Sequence, residues 1–477
     1  MIQRHRKNNR LTTHVSRLIF CLLPFSFFIL SSCSKDSFIT SPNASLTTSD
    51  TIIKFDTVFT SVGSVTQTFR IANNNDQKIL LSQVKLMGGN TSPFTINING
   101  IPANEANNIE IAANDSIYVF VTVNINPAAT NLPFIVNDSI LINYNGVTKF
   151  VQLQAYGQNA HFINSLLIDK DTTWTNDLPY VIQGLILVDK NVTLTLDKGV
   201  RIYSHADAPF IVDGTLIANG TEDSNVVFTG DRLDEVYKDL PASWPGVYFR
   251  STGVNSALTH TVIKNAYQAL VIDSASNNSN PKLTLHQCII DNAYDVGLYG
   301  YNSFINADNC LISNCGSNVS LNNGGNYTFT NCTIATFGNS YITHKNPVLQ
   351  ASDNDETAST INTLTASFTN CIIWGDYGSV DDEVVVNKQS GSSIVTLNHS
   401  LYKAKSNLTN INFDTSIPNA DPKFDSINVN RRIFDFHITK RQSPAVDAGT
   451  PTSFTLDLDD KSRVVNNLTD IGCYEKQ

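Results

Sequence analysis

Charged residues are scarce in this 477-residue chain, because Asp, Glu, Lys and Arg together make up 16% of it, against about 25% in soluble domains. Segments in which Ala, Glu, Lys and Leu recur at the helical period are also missing from the sequence. Asn, Thr, Ser, Val and Ile are abundant instead, a composition typical of strands. Since the chain is longer than one typical domain, the composition predicts an all-β protein with several domains or one elongated repeat.

The N-terminal region has no apolar run long enough to span a membrane. Its longest run, Leu18–Leu30, is interrupted by Pro24 and follows five basic residues. A transmembrane helix needs about 20 apolar residues, whereas a basic head with a short apolar run is typical of a signal peptide. The sequence therefore predicts a signal peptide over residues 1–32.

The signal peptide ends in "LSSC", Leu30–Cys33, which resembles the lipobox of bacterial lipoproteins. The resemblance implies a lipid on Cys33 that anchors the protein to a membrane. The alternative is an ordinary secretory signal, which would leave a free thiol at Cys33. The next residues, "SKDS", resemble an export signal of Gram-negative lipoproteins. Together these resemblances imply the outer membrane and its cell-surface side, with the periplasmic face as the alternative.

Positive charge is the minority sign along the chain. The net charge is -10, from 32 basic and 42 acidic residues. Cleavage after residue 32 would remove five basic residues and no acidic one, which leaves 27 basic against 42 acidic residues, or -15. An acidic surface repels phosphate backbones and anionic headgroups, so nucleic acid and anionic lipid are excluded as expected partners.

Two regions precede the main repeat. Residues 33–50 are small and polar, as expected of a flexible tether. Residues 51–160 contain six or seven short alternating segments separated by turn residues, which predicts a β-sandwich. This region resembles the Ig-like domains of bacterial surface lipoproteins, although it has no Cys-Trp-Cys core. We interpret it as a spacer, with ligand binding by its loops as the alternative.

Residues 161–477 contain an internal repeat of about 22 residues. When six segments are aligned, four positions of each form columns, at offsets of zero, plus two, minus one and minus three from a reference residue. The four columns are Thr261, Cys288, Cys310, Cys332, Cys371 and Ser400; Ile263, Ile290, Ile312, Ile334, Ile373 and Tyr402; His260, Gln287, Asn309, Asn331, Asn370 and His399; and Leu258, Leu285, Ala307, Phe329, Phe368 and Leu397. Residues two apart face the same side of a strand, and the polar column before them predicts a turn. Repetition at this length indicates a solenoid.

These columns resemble those of a right-handed, single-stranded parallel β-helix of the pectate-lyase-like superfamily. The resemblance implies stacked coils, with function in the loops that interrupt them. Cysteine sulfurs stacked about 4.8 Å apart on one line cannot converge as zinc ligands do, so we interpret Cys288, Cys310, Cys332 and Cys371 as buried fillers. Disulfides between neighbouring coils are permitted by distance but poorly oriented, and Cys315 remains a candidate free or bridging thiol.

The C-terminal region, about residues 421–477, resembles a terminal motif of secreted bacterial β-helix proteins. Its characteristic residues are Asp447, Asp457, Asp459, Arg463, Asp470 and Glu475. An uncapped coil would expose unpaired strand edges, so we expect this segment to close the bottom of the solenoid. We interpret the six residues as capping and turn residues, with a structural cation as the alternative.

The sequence contains few residues in patterns that indicate catalysis. The NTD, GHG and RIK motifs of polygalacturonase-like members are missing, and the basic residues in or beside the repeats form no pectate-lyase pattern; these are Arg250, Lys264, Lys345 and Lys388. If the chain is a polysaccharide lyase or glycoside hydrolase, Lys345, Asp381 and Asp382 are the candidates for proton transfer.

Two binding sites are also possible. Carboxylates on either side of one repeat could hold Ca²⁺, although solvated loop acids are the plainer interpretation; they are Asp353, Asp355, Glu356, Asp376, Asp381, Asp382 and Glu383. Exposed aromatic rings could stack on sugars, although such rings also fill cores; the candidates are Trp244, Tyr248, Trp374 and Tyr377. We expect no required cofactor and a non-catalytic protein that binds glycans or other surface polymers, with an enzyme or an adhesive surface rod as alternatives.

Overall fold

The computed structural model describes residues 37–60, 63–126, 134–235, 237–355, 359–438 and 442–477. Cys33, the predicted signal peptide and Glu356 lie outside these ranges. Within them there are strands, turns and one short 3-10 helix, Gly89–Thr91, which confirms the predicted all-β class. None of the helical structure in these ranges has the length and apolarity that crossing a membrane requires.

The chain divides into two compact units. The first contains most of the described residues up to Gln154, and the second contains Ala155–Gln477 with two short earlier segments. The first ten strands are β1 Leu46–Thr48, β2 Ile52–Phe59, β3 Gln67–Asn73, β4 Ile79–Leu86, β5 Phe94–Ile98, β6 Ile101–Pro102, β7 Glu105–Ile111, β8 Ser116–Val123, β9 Phe134–Tyr144 and β10 Val147–Gln158.

Strands β1–β10 form two five-stranded sheets, in the orders β1-β3-β8-β5-β6 and β2-β10-β9-β4-β7. Burial alternates along the strands: in β8, Val119 and Val121 are buried whereas Tyr118 and Phe120 are exposed, as expected of a half-buried antiparallel sheet. The architecture is the predicted β-sandwich. Strand β1 lies inside the predicted flexible tether, but its antiparallel pairing with β3 makes these residues part of a sheet.

The remaining strands lie between residues 161 and 435. They are β11 His161–Ile163, β12 Leu166–Ile168, β13 Thr172–Trp174, β14 Tyr180–Ile182, β15 Ile186–Val188, β16 Thr193–Leu196, β17 Arg201–Ser204, β18 Phe210–Val212, β19 Thr215–Asn219, β20 Val226–Gly230, β21 Val247–Phe249, β22 Ser256–Thr259, β23 Thr261–Lys264, β24 Gln268–Asp273, β25 Leu283–His286, β26 Ile289–Asp291, β27 Val296–Asp308, β28 Leu311–Ser313, β29 Ser317–Thr330, β30 Thr333–Phe337, β31 Leu349–Ser352, β32 Asn354–Asp355, β33 Thr360–Ile361, β34 Leu364–Thr369, β35 Ile372–Asp376, β36 Val384–Asn387, β37 Ile394–Asn398, β38 Leu401–Tyr402, β39 Asn412–Asp414, β40 Ile417–Pro418, β41 Ser426–Asn428 and β42 Ile433–Asp435.

Three parallel faces run along the solenoid. Face A is an 11-stranded sheet, β11-β14-β17-β20-β23-β26-β28-β30-β35-β38-β40. A 17-stranded sheet holds the other two, with face B following β12-β15-β18-β21-β24-β27-β29-β31-β36 and face C following β13-β16-β19-β22-β25-β27-β29-β34-β37-β39. The long strands β27 and β29 belong to both faces. This architecture confirms the parallel β-helix, and its expected right hand is the one that parallel crossovers adopt in about 98% of cases.

The register aligns the same residues that the sequence spacing aligned. Ile290 pairs with Ile312 and Ile312 pairs with Ile334, so the isoleucine column runs straight through successive coils. The cysteine column lies two residues earlier, inside the core, and all six described cysteines are buried and free. Cys315 is therefore not bridged. The thiols are also donors, since Cys288 Sγ lies 3.2 Å from the Leu258 carbonyl oxygen.

The polar column is a one-residue turn between faces C and A. All six of its residues have left-handed backbone angles, with φ between 41° and 54°. Asn adopts this conformation more readily than most residues because its short polar side chain can form local hydrogen bonds. The Asn370 amide also donates to Asn331 Oδ1 of the preceding coil at 2.9 Å. The turn therefore explains why asparagine precedes three of the four column cysteines, Cys310, Cys332 and Cys371.

The C-terminal segment, residues 421–477, lies along the outer side of face A. Its Phe424, Phe436 and Ile471 join one apolar cluster with Leu311 and Ile372, which face outward from face A. Further contacts reach along the corner between faces C and A, where Thr450 N–H donates to Asn370 Oδ1, Asn331 donates to Thr452 and Gln287 donates to the Asp457 carbonyl oxygen. The segment therefore packs against the outside of face A and not at the bottom of the solenoid as expected, because outward apolar residues of face A provide a surface for it.

Candidate functional site

A polar groove of about 670 Å³ runs over the outside of face B. This volume lies within the range of small-ligand sites, about 300–1,000 Å³. Its described lining residues come from four successive strands of face B and the loops beside them: Tyr299, Tyr301, Asn322, Gln350, Ala351, Ser352, Asn354, Asp355, Val385, Asn387, Lys388, Gln389 and Asn410.

Strand alternation places these side chains outside. In β27, Leu298 and Gly300 are buried, whereas the intervening Tyr299 and the following Tyr301 are partly exposed. The next strand repeats this pattern in register, because Tyr299 pairs with Ser320 and Tyr301 pairs with Asn322. The outward columns of a parallel β-helix thus become the floor of the groove.

One wall of the groove is fixed by Asp355. Its Oδ2 accepts a hydrogen bond of 2.7 Å from the Tyr301 hydroxyl, and this bond raises the pKa of the Tyr301 phenol. Asp355 belongs to β32, which pairs with β33 to form a short antiparallel hairpin. The tyrosine therefore ties this hairpin to the floor.

A second loop beside the groove is held by Asp353, which is fully buried. Its two oxygens accept hydrogen bonds from Gln389 N–H, Ser390 N–H and the Ser393 hydroxyl at 2.8, 2.7 and 2.8 Å. Burial alone would raise the pKa of Asp353, but these donors hold it below its ordinary value. Asp353 thereby positions the loop that carries Lys388 and Gln389.

The groove is nearly balanced in charge. Asp355 and Lys388 are the charged side chains among its described lining residues, and six of those thirteen residues carry a carboxamide. Within the described part of the chain, the Lys388 ammonium has no ion-pair partner. The groove therefore offers two phenols, several amides and one lysine to a ligand.

The predicted aromatic residues lie elsewhere. Trp244 is buried at 1% exposure, and its Nε1 donates to the Lys264 carbonyl oxygen. Trp374 is buried at 7% exposure, so neither indole offers a surface for stacking. Tyr377 is 63% exposed but does not line the groove. Tyr248 is half-buried and shares an outward column with Tyr299, two strands away.

The predicted calcium ligands are engaged by protein groups. Asp381 pairs with Lys405 at 3.3 Å, and Asp376 lies 3.5 Å from Lys403. Asp382 Oδ1 accepts the backbone N–H groups of residues 405 and 406, whereas Asp353 and Asp355 hold the groove walls. Over the described ranges, which leave out Glu356, no three His, Cys, Asp or Glu residues gather as a metal site.

Glu383, the remaining calcium candidate, forms a buried pair with His344. The Nε2 of His344 lies 2.9 Å from Glu383 Oε1, and both side chains are almost fully buried. A Cβ at Gly375 would lie 2.3 Å from this carboxylate oxygen, so glycine is needed beside the pair. Sequence reasoning missed His344, because nothing in its local pattern distinguishes it from a loop histidine.

None of the predicted catalytic residues is among the described lining of the groove. Lys345 is exposed on the loop after His344, whereas Asp381 and Asp382 engage Lys405 and its neighbours. Sequence reasoning also missed Tyr299 and Tyr301. The signal was present in "GLYGYNS", where two tyrosines two residues apart must face the same side of a strand.

No protein-family model matches the chain. No curated protein matches it either. Several solved structures are similar to parts of it. A family 123 glycoside hydrolase from Clostridium perfringens has 10% identity and a TM-score of 0.18, over 24% of this chain and 26% of the hydrolase. This chain thus spans about a quarter of that enzyme.

Two further solved structures show similarity over comparable stretches. The VesB protease of Vibrio cholerae has 14% identity and a TM-score of 0.17, over 24% of this chain and 31% of the protease. An ASH/PapD-like domain of human CEP192 has 9% identity and a TM-score of 0.18, over 26% of this chain and 94% of that domain. At these scores, the assignment of a function depends on the groove itself.

Proposed function

We propose that this chain is a lipid-anchored envelope protein that binds a polysaccharide in the groove on face B. The main support is the composition of the groove, where two partly exposed tyrosines of one strand lie among amide side chains from neighbouring strands. A sugar presents apolar C–H faces and hydroxyl edges. Tyrosine rings can pack against the former and amides can hydrogen-bond the latter.

The groove walls also support binding. Tyr301 and Asp353 hold the two loops beside the floor through hydrogen bonds within the protein. A ligand then does not have to order these loops, which lowers the entropic cost of binding. The lipid on Cys33, the outer-membrane location and membership of the pectate-lyase-like superfamily belong to this proposal as implications of the sequence resemblances.

A pull-down on insoluble polysaccharides tests the proposal. We expect the full chain, solubilised in detergent, to be retained by at least one polysaccharide, and Tyr299→Ala to weaken retention at least tenfold, which corresponds to about 1.4 kcal/mol. Tyr377→Ala is the matched control, since it removes an equally large but more exposed ring outside the groove and should leave retention unchanged.

Equal retention of wild type and Tyr299→Ala would contradict the groove as the site. The same incubations should be assayed for new reducing ends and for unsaturated sugars. Either product, if lost in Tyr299→Ala, would replace the binding function with a hydrolase or a lyase. A protein that served only as a surface rod would be retained by no polysaccharide in the panel.

A further inference from the structure

We infer that the ligand of the groove on face B is an uncharged polysaccharide that lies along the stacking direction of the coils. This inference rests on the proposed function and specifies its substrate class. Three features carry it: the charge of the groove, the hydrogen-bonding capacity of its amides, and the register of the strands that form its floor.

The charge of the groove argues against a uronic acid polymer. Such a polymer carries a carboxylate on each acidic sugar, and proteins bind carboxylates most strongly through charge-assisted bonds from arginine or lysine. The described lining contains one lysine, Lys388, one carboxylate, Asp355, and no arginine. With a net charge of -10 over the whole chain, the long-range field also opposes a polyanion.

The amides suit hydroxyl groups. A carboxamide has two donors and an acceptor oxygen, and a hydroxyl is both donor and acceptor. Gln350 uses one N–H to reach the Ser317 hydroxyl at 3.3 Å, and Asn410 uses one to reach the Val386 carbonyl oxygen at 2.8 Å. Within the described residues, each of these side chains keeps a second N–H and its oxygen without a protein partner. The groove thus retains paired donors and acceptors without a net charge.

The register gives the direction. Tyr299 pairs with Ser320, residue 320 pairs with Gln350, and Gln350 pairs with Val385, so four lateral neighbours stand in one outward column. Adjacent strands lie about 4.8 Å apart, and three such steps cover roughly 14 Å. An extended polymer that lies along this column contacts four coils in succession, whereas one that lies across it leaves the groove after one strand.

Binding of soluble polysaccharides to the full chain in detergent, measured by titration calorimetry, tests the inference. The panel contains neutral glucans, mannans, galactans and xylans beside polygalacturonate and alginate. We expect binding to a neutral polymer, less than a twofold change in Kd between 0.05 and 0.5 M NaCl, and at least tenfold weaker binding for Tyr299→Ala. Charge-assisted binding would instead weaken clearly with salt.

Gln350→Ala serves as the second groove variant and should also weaken binding at least tenfold, so the test stands even if Tyr299→Ala does not fold. Circular dichroism and thermal melting verify the fold of both variants, and Tyr377→Ala is the control. Salt-sensitive binding of acidic polymers alone, lost in the groove variants, would overturn the inference and leave the proposed function standing. Binding of no polymer, or binding unaffected by both groove variants, would overturn the proposed function as well.

Discussion

At the scale of single residues, the cysteine column shows which side chains one position of a repeated coil accepts. Each position needs a small side chain, and a weak donor there can reach a carbonyl oxygen of the preceding coil. Cys371 Sγ donates to the Phe329 carbonyl oxygen at 3.6 Å, and the Ser400 hydroxyl makes the equivalent bond to residue 368 at 3.1 Å. A thiol and a hydroxyl therefore make the same hydrogen bond at equivalent positions of successive coils. The cysteines are explained by their size and this bond, and not by redox or metal chemistry.

Thiol accessibility provides a first prediction. Burial raises the pKa of Cys310, Cys315, Cys371 and Cys473, which keeps these thiols protonated and unreactive at neutral pH. Because all six described cysteines are fully buried, iodoacetamide should modify none of them in the native protein and all six in denaturant. Mass spectrometry measures the count. Native labelling of Cys315, or any disulfide among the six, would contradict the structure.

Asn370 provides a second prediction. Its backbone is left-handed at φ 53°, its amide donates to Asn331 and to the residue 450 carbonyl oxygen, and its own oxygen accepts a backbone N–H. Asn370→Ala loses these bonds and strains the turn, so we expect a loss of about 2–4 kcal/mol in the free energy of unfolding.

Asn370→Gly separates the two contributions. Glycine accepts the left-handed angle without strain but cannot replace the side-chain bonds. It should therefore be more stable than Asn370→Ala by about 1 kcal/mol, as measured by urea unfolding. If the two variants were equally stable, the backbone angle would not be the reason for asparagine at this turn.

At the scale of elements, the columns could be predicted from the sequence because each depends on short-range alternation. Ile290 and Ile312 are separated by the length of one coil. Because side chains alternate along a strand, the residues beside them must face the opposite side of the sheet. The position of the C-terminal segment could not be predicted in this way, because it depends on outward residues such as Leu311 and Ile372, which have no distinctive spacing. The groove was missed although Tyr299 and Tyr301 stand two residues apart, because the other strands and loops that line it share no spacing in the sequence. Trp244 was misassigned because an indole fits a core as well as a surface.

The C-terminal segment also carries a buried charge cluster. Arg463 is 1% exposed and lies 3.5 Å from Glu475, and Asp457 and Asp470 are buried nearby. One guanidinium faces three carboxyl groups, so the carboxylates are poorly compensated. Burial is the first cause that raises the pKa of Glu475, to about 8.

We expect this cluster to make the stability of the protein depend on pH. An acid whose pKa is raised in the folded state binds its proton more tightly when folded, so its stabilisation is complete below about pH 4.5 and is lost as pH rises through about 8. We expect the free energy of unfolding to fall by about 1–3 kcal/mol over this range. The thermal midpoint should fall with it. Differential scanning calorimetry from pH 5 to pH 9 measures the change.

Glu475→Gln is the matched variant, because it keeps the shape of the side chain and removes its titration. It should flatten the pH profile and be more stable than wild type above pH 8. The raised pKa of His437, caused first by its hydrogen bond to Asp459, gives a slope of the same sign that should persist in the variant. A wild-type midpoint that rises between pH 5 and pH 9 would contradict this account.

At the scale of the whole molecule, the proposed location of the protein depends on Cys33, which lies outside the described ranges. If the lipobox resemblance is correct, Cys33→Ser should abolish incorporation of radiolabelled palmitate and move the protein from the detergent phase to the aqueous phase in Triton X-114 partitioning. Cys315→Ser is the control, since that thiol is buried in the β-helix. Detergent partitioning by the Cys33→Ser variant would show that another segment anchors the chain, and protease treatment of intact cells would distinguish the two faces of the outer membrane.

The C-terminal segment also has a mechanical consequence. In a parallel β-helix the bonds between coils lie along the stacking axis, so tension on the end of a bare solenoid would peel coils away singly, each freeing about 22 residues and roughly 70–80 Å of chain. Here the last residues fold back beside face A and reach the corner as far as Gln287 and His260. A pull on the C-terminus would therefore load this segment in shear across many coils at once. The largest unfolding force would therefore be needed to detach the C-terminal segment, before any coil of the solenoid unfolds.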